Sequence, residues 1–235
     1  MTKEHIRIVP SLVDASEHLK LVSFFLLFQD IANKNTESLG GGKEATTDKG
    51  LDWIVARISL DIKRMPMLDE EYELETYPFG VKAGCIFYRC ARMLDKNNDP
   101  IIRLNSMWSV MDNKTRKIVL KPNISHAKEE YGDELAEPVK VALEDANFTF
   151  SKVVRYSDCD LNGHLNNTRY VEALVDINNL EFYKKYFISH IDINFISEVH
   201  DEEKLDIYAS DDKTYIEGRV GSRLSFTAKV TYKAH

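Results

Sequence analysis

The sequence predicts an α+β fold laid down twice, each half a helix packed on an antiparallel sheet. Two observations carry this reading. Segments with helical apolar spacing give way to period-two segments in the order strand, helix, strands, and the order then recurs. The chain also matches itself when slid. An offset of 131 lays LDIKRMPMLDEEYELETY (60–77) over IDINFISEVHDEEKLDIY (191–208), so that Asp61 meets Asp192, Ile62 meets Ile193, Leu74 meets Leu205 and Tyr77 meets Tyr208.

The first strand is HIRIVP, residues 5–10. Residues 16–39 read as a helix, apolar at Leu19, Val22, Leu26 and Ile31 and stopped by Gly40, Gly41 and Gly42. Strands follow in WIVARISLDIKRM, EYELETYPFG, GCIFYRCARML, PIIRLNSMWSVMD and KIVL, separated by turns such as Asn97-Asn98-Asp99-Pro100 and Asp112-Asn113. After Pro122 the acidic stretch up to Asp145 reads as a linker with one helical turn. FTFSKVVRYS is then a strand, 167–187 a helix, and HIDINFISEV, KLDIYASDD, YIEGRVG and RLSFTAKVTYKAH are strands. The expected units are 1–125, a linker at 126–145, and 146–235.

The two helices align near an offset of 143, with Phe28-Gln29 over Val171-Glu172. The stretch GGGKEATTDKG, unmatched in the second half, accounts for the difference from 131. A duplication with one insertion explains both offsets; chance likeness of two amphipathic segments is the plainer alternative.

Composition narrows the function. The chain has 235 residues, 43% hydrophobic and 29% charged, ordinary for a folded protein able to bury its own core. A net charge of −7 argues against general nucleic-acid binding, and an acidic partner would need a local basic patch such as Lys114, Arg116, Lys117 and Lys121, or Lys184 and Lys185. Cys85, Cys90 and Cys159 form neither a disulfide framework nor a zinc ribbon and fit a reducing compartment. The N-terminus carries charges throughout, and the apolar run 21–28 is far shorter than the roughly 20 residues of a membrane span. A cytoplasmic protein is expected.

The chemistry concentrates in Asp158-Cys-Asp160-Leu-Asn162-Gly-His164-Leu-Asn166-Asn167, between a strand and a helix start. Capping the helix occupies one or two such residues, here Asn166 or Asn167. The rest stand where free N–H donors and a positive field can polarise a carbonyl. Downstream, Glu198 follows the apolar run INFIS; partial burial would raise its pKa toward that of a useful base, although alone it also reads as a solvated strand end. At the two offsets its first-half counterpart is Met67, and those of Asn162 and His164 are Leu19 and Leu21. One of two duplicated sites would then have been lost.

DCDLNGHLNNTRYVEAL resembles the D-x-D-x-N-x-H-x-N-N-x-x-Y motif of the acyl-acyl carrier protein thioesterases of plant plastids and their bacterial relatives. WIVARISLDIKRMPMLDEEYELETY and SMWSVMDNKTRKIVLKP resemble the family's first-half strands. The resemblance runs nearly the full length. It implies two fused hotdog domains, hydrolysis of a fatty acyl thioester borne on an acyl carrier protein, and catalytic roles for Asp160, Asn162, His164 and Glu198. It implies that the first domain supplies much of the acyl tunnel. Many plant members carry a cysteine directly after that glutamate; here the position is Val199, so no thiol is available there as nucleophile.

On this reading Glu198 activates water, or attacks directly as the less favoured variant. Asn162 and His164 polarise the carbonyl, and Asp160 orients His164. No metal or organic cofactor is expected, since His126, His190 and His200 show no ligand spacing with the motif. The alternatives are an acyl-CoA thioesterase on the same scaffold, a dehydratase of fatty acid synthesis, and a non-catalytic acyl-thioester sensor. Association into a homodimer is left open.

Overall fold

The computed structural model describes residues 1–124 and 136–235. Strand β1 (Thr2–Arg7) and helix α1 (Leu21–Ser38) lead into β2 (Leu51–Ile62), β3 (Glu71–Lys82), β4 (Ile86–Leu94), β5 (Pro100–Asp112) and the short β6 (Lys117–Ile118). The order then repeats with β7 (Asn147–Val153), α2 (Asn167–Val175), the single turn α3 (Leu180–Tyr183), β8 (Tyr186–Phe195), β9 (Lys204–Ala209), β10 (Tyr215–Val220) and β11 (Arg223–Ala234). Every pairing is antiparallel, in the order β1-β3-β4-β5-β2-β8-β11-β10-β9-β7, with β6 on β5.

That order reads alike from either end, and the seam explains how. Leu60 of β2 pairs with Ile191 of β8, flanked by the pairs Ser59–Asp192 and Asp61–His190. Adding 131 to the first-half member of each flanking pair gives the second-half member of the other, so the seam is its own image about Leu60 and Ile191. Both residues are fully buried, which holds the register, because a one-residue slip would turn them out to solvent. Polar groups close the seam. His190 Nδ1 stands 2.7 Å from Asp61 Oδ1 and its Nε2 3.0 Å from Asp192 Oδ2, while Ser59 hydrogen-bonds Asp192.

Helix α1 forms because Leu21, Phe24, Phe25, Phe28, Ile31 and Ala32 make one apolar stripe, buried against the sheet and α2. It ends where the glycines predict. Gly40 takes φ +77° and its N–H donates to the Glu37 carbonyl, while the Gly41 N–H reaches that of Thr36. Its start is corrected from 16 to 21, because residues 14–18 fold into a tight turn of their own. The second predicted helix, 167–187, is also corrected. α2 stops at Val175, Asn179 caps the separate turn α3 through the Phe182 N–H (3.0 Å), and a strand begins at Tyr186.

Of the expected linker 126–145, residues 126–135 lie outside the described residues. Residues 136–145 hold no helical turn and cross the seam instead. The Val139 N–H donates to Ser59 Oγ (3.3 Å), the Val141 N–H to Asn194 Oδ1 (3.0 Å), and Asn194 Nδ2 donates to the Val139 carbonyl (3.1 Å). Among the described residues no helix is long and apolar enough to cross a membrane.

Candidate active site

The turn before α2 is shaped by its own polar side chains. Asp160 Oδ1 accepts the backbone N–H groups of Asn162 (2.8 Å) and His164 (3.4 Å). The Asp160 N–H donates to the His164 carbonyl (2.8 Å) and the Gly163 N–H to the Asp160 carbonyl (3.0 Å). Gly163 adopts φ +77°, which glycine takes without strain. Asn166 caps α2 by accepting the Thr168 N–H at 2.9 Å, as the sequence suggests. Asp158, nearly buried, accepts the Arg155 N–H (3.1 Å) and pairs with Lys152 (3.0 Å), tying the turn to β7. Asp160 thus binds backbone N–H groups, where the sequence assigned it to the His164 ring. Asn162 is exposed in the turn.

Two backbone contacts carry this turn to the chain beyond β8. The Leu165 N–H donates to the Val199 carbonyl at 2.8 Å, and His164 bridges to His200. They bring His164 Nδ1 to 3.5 Å from Glu198 Oε1, although the two residues are far apart in sequence. The His200 ring meets that of His164 edge-on, centroids 4.8 Å apart. Arg116, from the turn between β5 and β6, hydrogen-bonds the second oxygen of Glu198. Arg223, held on Glu203 by contacts of 2.7 and 2.9 Å, donates to the Glu198 carbonyl and to Ser197 Oγ (3.2 Å).

The electrostatics differ from expectation. Partial burial pushes the Glu198 carboxyl upward, but the hydrogen bond from Arg116 and the charges of His164, Arg116 and His200 outweigh it. The group ends below the ordinary glutamate range. Glu198 is therefore ionised at neutral pH. Sequence reasoning missed both Arg116, which it weighed only as a surface charge, and His200. His164, Glu198 and His200 each offer an atom within 4.8 Å of the others, a spacing a metal ion could bridge. Arg116 already supplies a cation to that carboxylate, so the set reads better as a hydrogen-bonded acid–base group. Cys159 Sγ lies against the Arg155 carbonyl (3.6 Å). Desolvation, then the charges of Asp201, Asp158 and Asp160, push its thiol up, which disfavours a thiolate. His126 lies outside the described residues.

The first half holds a second copy of the same turn. Asp14 Oδ1 accepts the N–H groups of Ser16 (2.8 Å) and His18 (3.2 Å); the Asp14 N–H donates to the His18 carbonyl (2.8 Å) and the Glu17 N–H to that of Asp14 (3.1 Å). Leu19 donates to the Pro66 carbonyl (2.8 Å) as Leu165 does to Val199, and His18 bridges to Met67 as His164 does to His200. These contacts correct the counterparts drawn from sliding. Asp14 answers to Asp160, Ser16 to Asn162, His18 to His164, and Met65, not Met67, stands where Glu198 does. The true offset is 146 at the turn and 133 beyond the seam. The first half therefore keeps the aspartate and histidine and lacks the carboxylate.

Residues 1–125 match the model of the acyl-ACP thioesterase N-terminal domain, and residues 141–232 that of the C-terminal domain. The chain belongs to the acyl-ACP thioesterase family. Among relatives, a chloroplastic acyl-acyl-carrier-protein hydrolase of Cuphea viscosissima is 22% identical over 171 residues, 63% of this chain and 40% of the relative. The palmitoyl-acyl carrier protein thioesterase of Arabidopsis thaliana is 22% identical over 161 residues, 61% of this chain and 38% of the relative. The matched region thus spans about two fifths of these relatives' length. In fold, this family member is similar to an acyl-ACP thioesterase from Bacteroides thetaiotaomicron (TM-score 0.90, 20% identity, 99% of this chain and 97% of that one). It is also similar to a 12:0-ACP thioesterase from Umbellularia californica (TM-score 0.83, 17% identity, 100% and 94%).

Proposed function

We propose that the protein hydrolyses the thioester of a fatty acyl chain carried on an acyl carrier protein, releasing the free fatty acid. The observation that carries this is the approach of Glu198 Oε1 to His164 Nδ1 at 3.5 Å in a chain matched along both halves by thioesterase models. Glu198, ionised and oriented by Arg116, takes a proton from water as the water oxygen bonds to the thioester carbon. Asn162 and His164 polarise the carbonyl oxygen as it gains charge, while Asp160 holds their backbone in the turn. Collapse of the tetrahedral intermediate breaks the C–S bond, and the leaving thiolate recovers a proton.

We read the chain as two fused hotdog domains, 1–125 and 146–235. The mirrored strand order, the self-image seam at Leu60 and Ile191, and the repeated turn support this reading. The acyl channel is assigned to the first domain, where Trp53, Phe87 and Trp108 line a cavity of about 80 Å³ between α1 and the strands, room for only a short part of a chain.

The test sets Glu198→Gln beside the wild type on acyl-carrier-protein and acyl-CoA substrates. The variant should fold, bind substrate and lose about 10²–10⁴-fold in kcat. Near wild-type turnover would remove Glu198 as the base, and a preference for acyl-CoA would reassign the carrier.

A further inference from the structure

The retained turn of the first half opens on a cavity. A cavity of about 640 Å³ lies between α1, α2 and β8, within the roughly 300–1,000 Å³ usual for small-molecule sites. Leu21, Val22, Ile62, Val175, Phe187 and Ile188 give it an apolar wall. His18, Lys20 and His235 are among its polar lining. The His18 and His235 rings are stacked, 4.2 Å between centroids and 8° from parallel.

His18 points to what the cavity takes. In the second half, His164 Nδ1 faces the Glu198 carboxylate. In the first half Met65, which lines the cavity, replaces that glutamate, and His18 Nδ1 is buried without a hydrogen-bond partner among the described residues. Such a buried orphan costs about 1–3 kcal/mol, which a ligand's hydrogen bond would recover once the imidazole turns that nitrogen toward the cavity. Burial, and then the charge of His235, push the His18 imidazole below the ordinary histidine range, so it is neutral at pH 7 and can donate from that nitrogen. The acidic groups on the wall are engaged elsewhere. Asp14 accepts its own turn's N–H groups, and Glu172 pairs with Lys152 and Arg169. Burial, then the Glu172 charge, push the Asp176 carboxyl up toward its neutral form.

We propose that this cavity is a second, non-hydrolytic site that binds a free fatty acid, its chain along Val22, Val175 and Phe187 and its carboxyl group hydrogen-bonded to His18 Nδ1. Lys20 at the rim offsets the carboxylate charge. The site lacks a counterpart of Glu198, so it is assigned binding and not hydrolysis. The inference goes beyond hydrolysis at the Glu198 site and is read by binding, so the two can fail separately.

The experiment is photo-crosslinking of the wild-type protein with dodecanoic acid bearing a diazirine at its methyl end, mapped by mass spectrometry, with binding of unlabelled dodecanoic acid measured alongside. Label on α1, α2 and β8 residues of this cavity is expected. Val175→Trp, which fills it, should weaken binding there at least tenfold while leaving acyl-thioester hydrolysis within twofold. His18→Phe keeps the stack on His235 and should weaken binding about fivefold, the worth of one hydrogen bond. Should Val175→Trp not fold, Leu26→Trp at the exposed rim takes its place. Label confined to the Trp53, Phe87 and Trp108 cavity, or undiminished binding in a folded filled variant, would overturn the proposal. So would loss of hydrolysis in the filled variant, which would make the cavity the substrate's own channel.

Discussion

Arg116, carried by the first half of the chain, hydrogen-bonds the carboxylate of Glu198, carried by the second. The candidate base is thus held from both sides, His164 on one oxygen and Arg116 on the other. The site thus draws Arg116 from the first half and its other named groups from the second.

Removing that guanidinium should alter the pH response. Arg116 helps keep the Glu198 carboxyl below its ordinary value, so the base is available down to low pH. In Arg116→Gln the carboxyl rises, and the acidic limb of kcat/KM should move to higher pH, with the loss greatest below pH 6 and smaller at pH 8. A rate profile from pH 4 to 9 measures this; an unmoved limb would show that Arg116 does not tune Glu198.

Asp160 gives a sharper distinction. Its carboxylate oxygen accepts two backbone N–H groups of the turn, a task an amide oxygen performs almost as well. Asp160→Asn should retain at least a tenth of wild-type kcat, whereas Asp160→Ala should lose about 1–2 kcal/mol of stability and most activity. Equal damage in both variants would favour a charge acting on the His164 ring.

A thiol mechanism predicts the opposite of what we expect at Cys159. Desolvation and three neighbouring carboxylates raise its pKa. Cys159→Ala should keep activity within about threefold, and iodoacetamide should label the wild-type residue slowly at pH 7. Complete loss of activity would revive the thiol.

The seam should titrate. Hydrogen bonds to Asp192 and Asp61 hold the His190 imidazole up at about 9. A raised folded-state pKa stabilises fully below the unfolded value near 6.5, and the contribution fades as pH climbs through about 9. Because His190 is about a third exposed, screening reduces it to roughly 1 kcal/mol. His190→Asn should therefore lower Tm at pH 6 and leave it nearly unchanged at pH 10. An equal drop at both would mean that packing, not charge, is lost.

Much of this was legible in residue order. The D-x-D-x-N-x-H segment marks a turn and a helix start because Asp, Asn and Gly serve backbone geometry that few other residues satisfy. Period-two alternation located the strands, PIIRLNSMWSVMD to the residue, because burial on one face of a sheet imposes that period. The copy of the turn was also present in writing, as Asp14-Ala-Ser16-Glu17-His18-Leu19 beside Asp160-Leu-Asn162-Gly163-His164-Leu165. Fixed-offset sliding passed over it because the spacing between turn and seam differs in the two halves, and matching apolar residues reward several registers alike.

What sequence order could not decide was which distant groups converge. Arg116, His164, Glu198 and His200 meet only because the chain beyond β8 pairs with the turn before α2, and because the β5–β6 turn reaches across to the same carboxylate. The lowered pKa of Glu198 follows from those meetings, and the orphaned nitrogen of His18 from Met65 standing where a carboxylate stands in the second half. Local order is written in short-range periodicity and turn chemistry. Charge, burial and cavity at a site are sums over neighbours from the whole chain, and only the folded sheet assembles them.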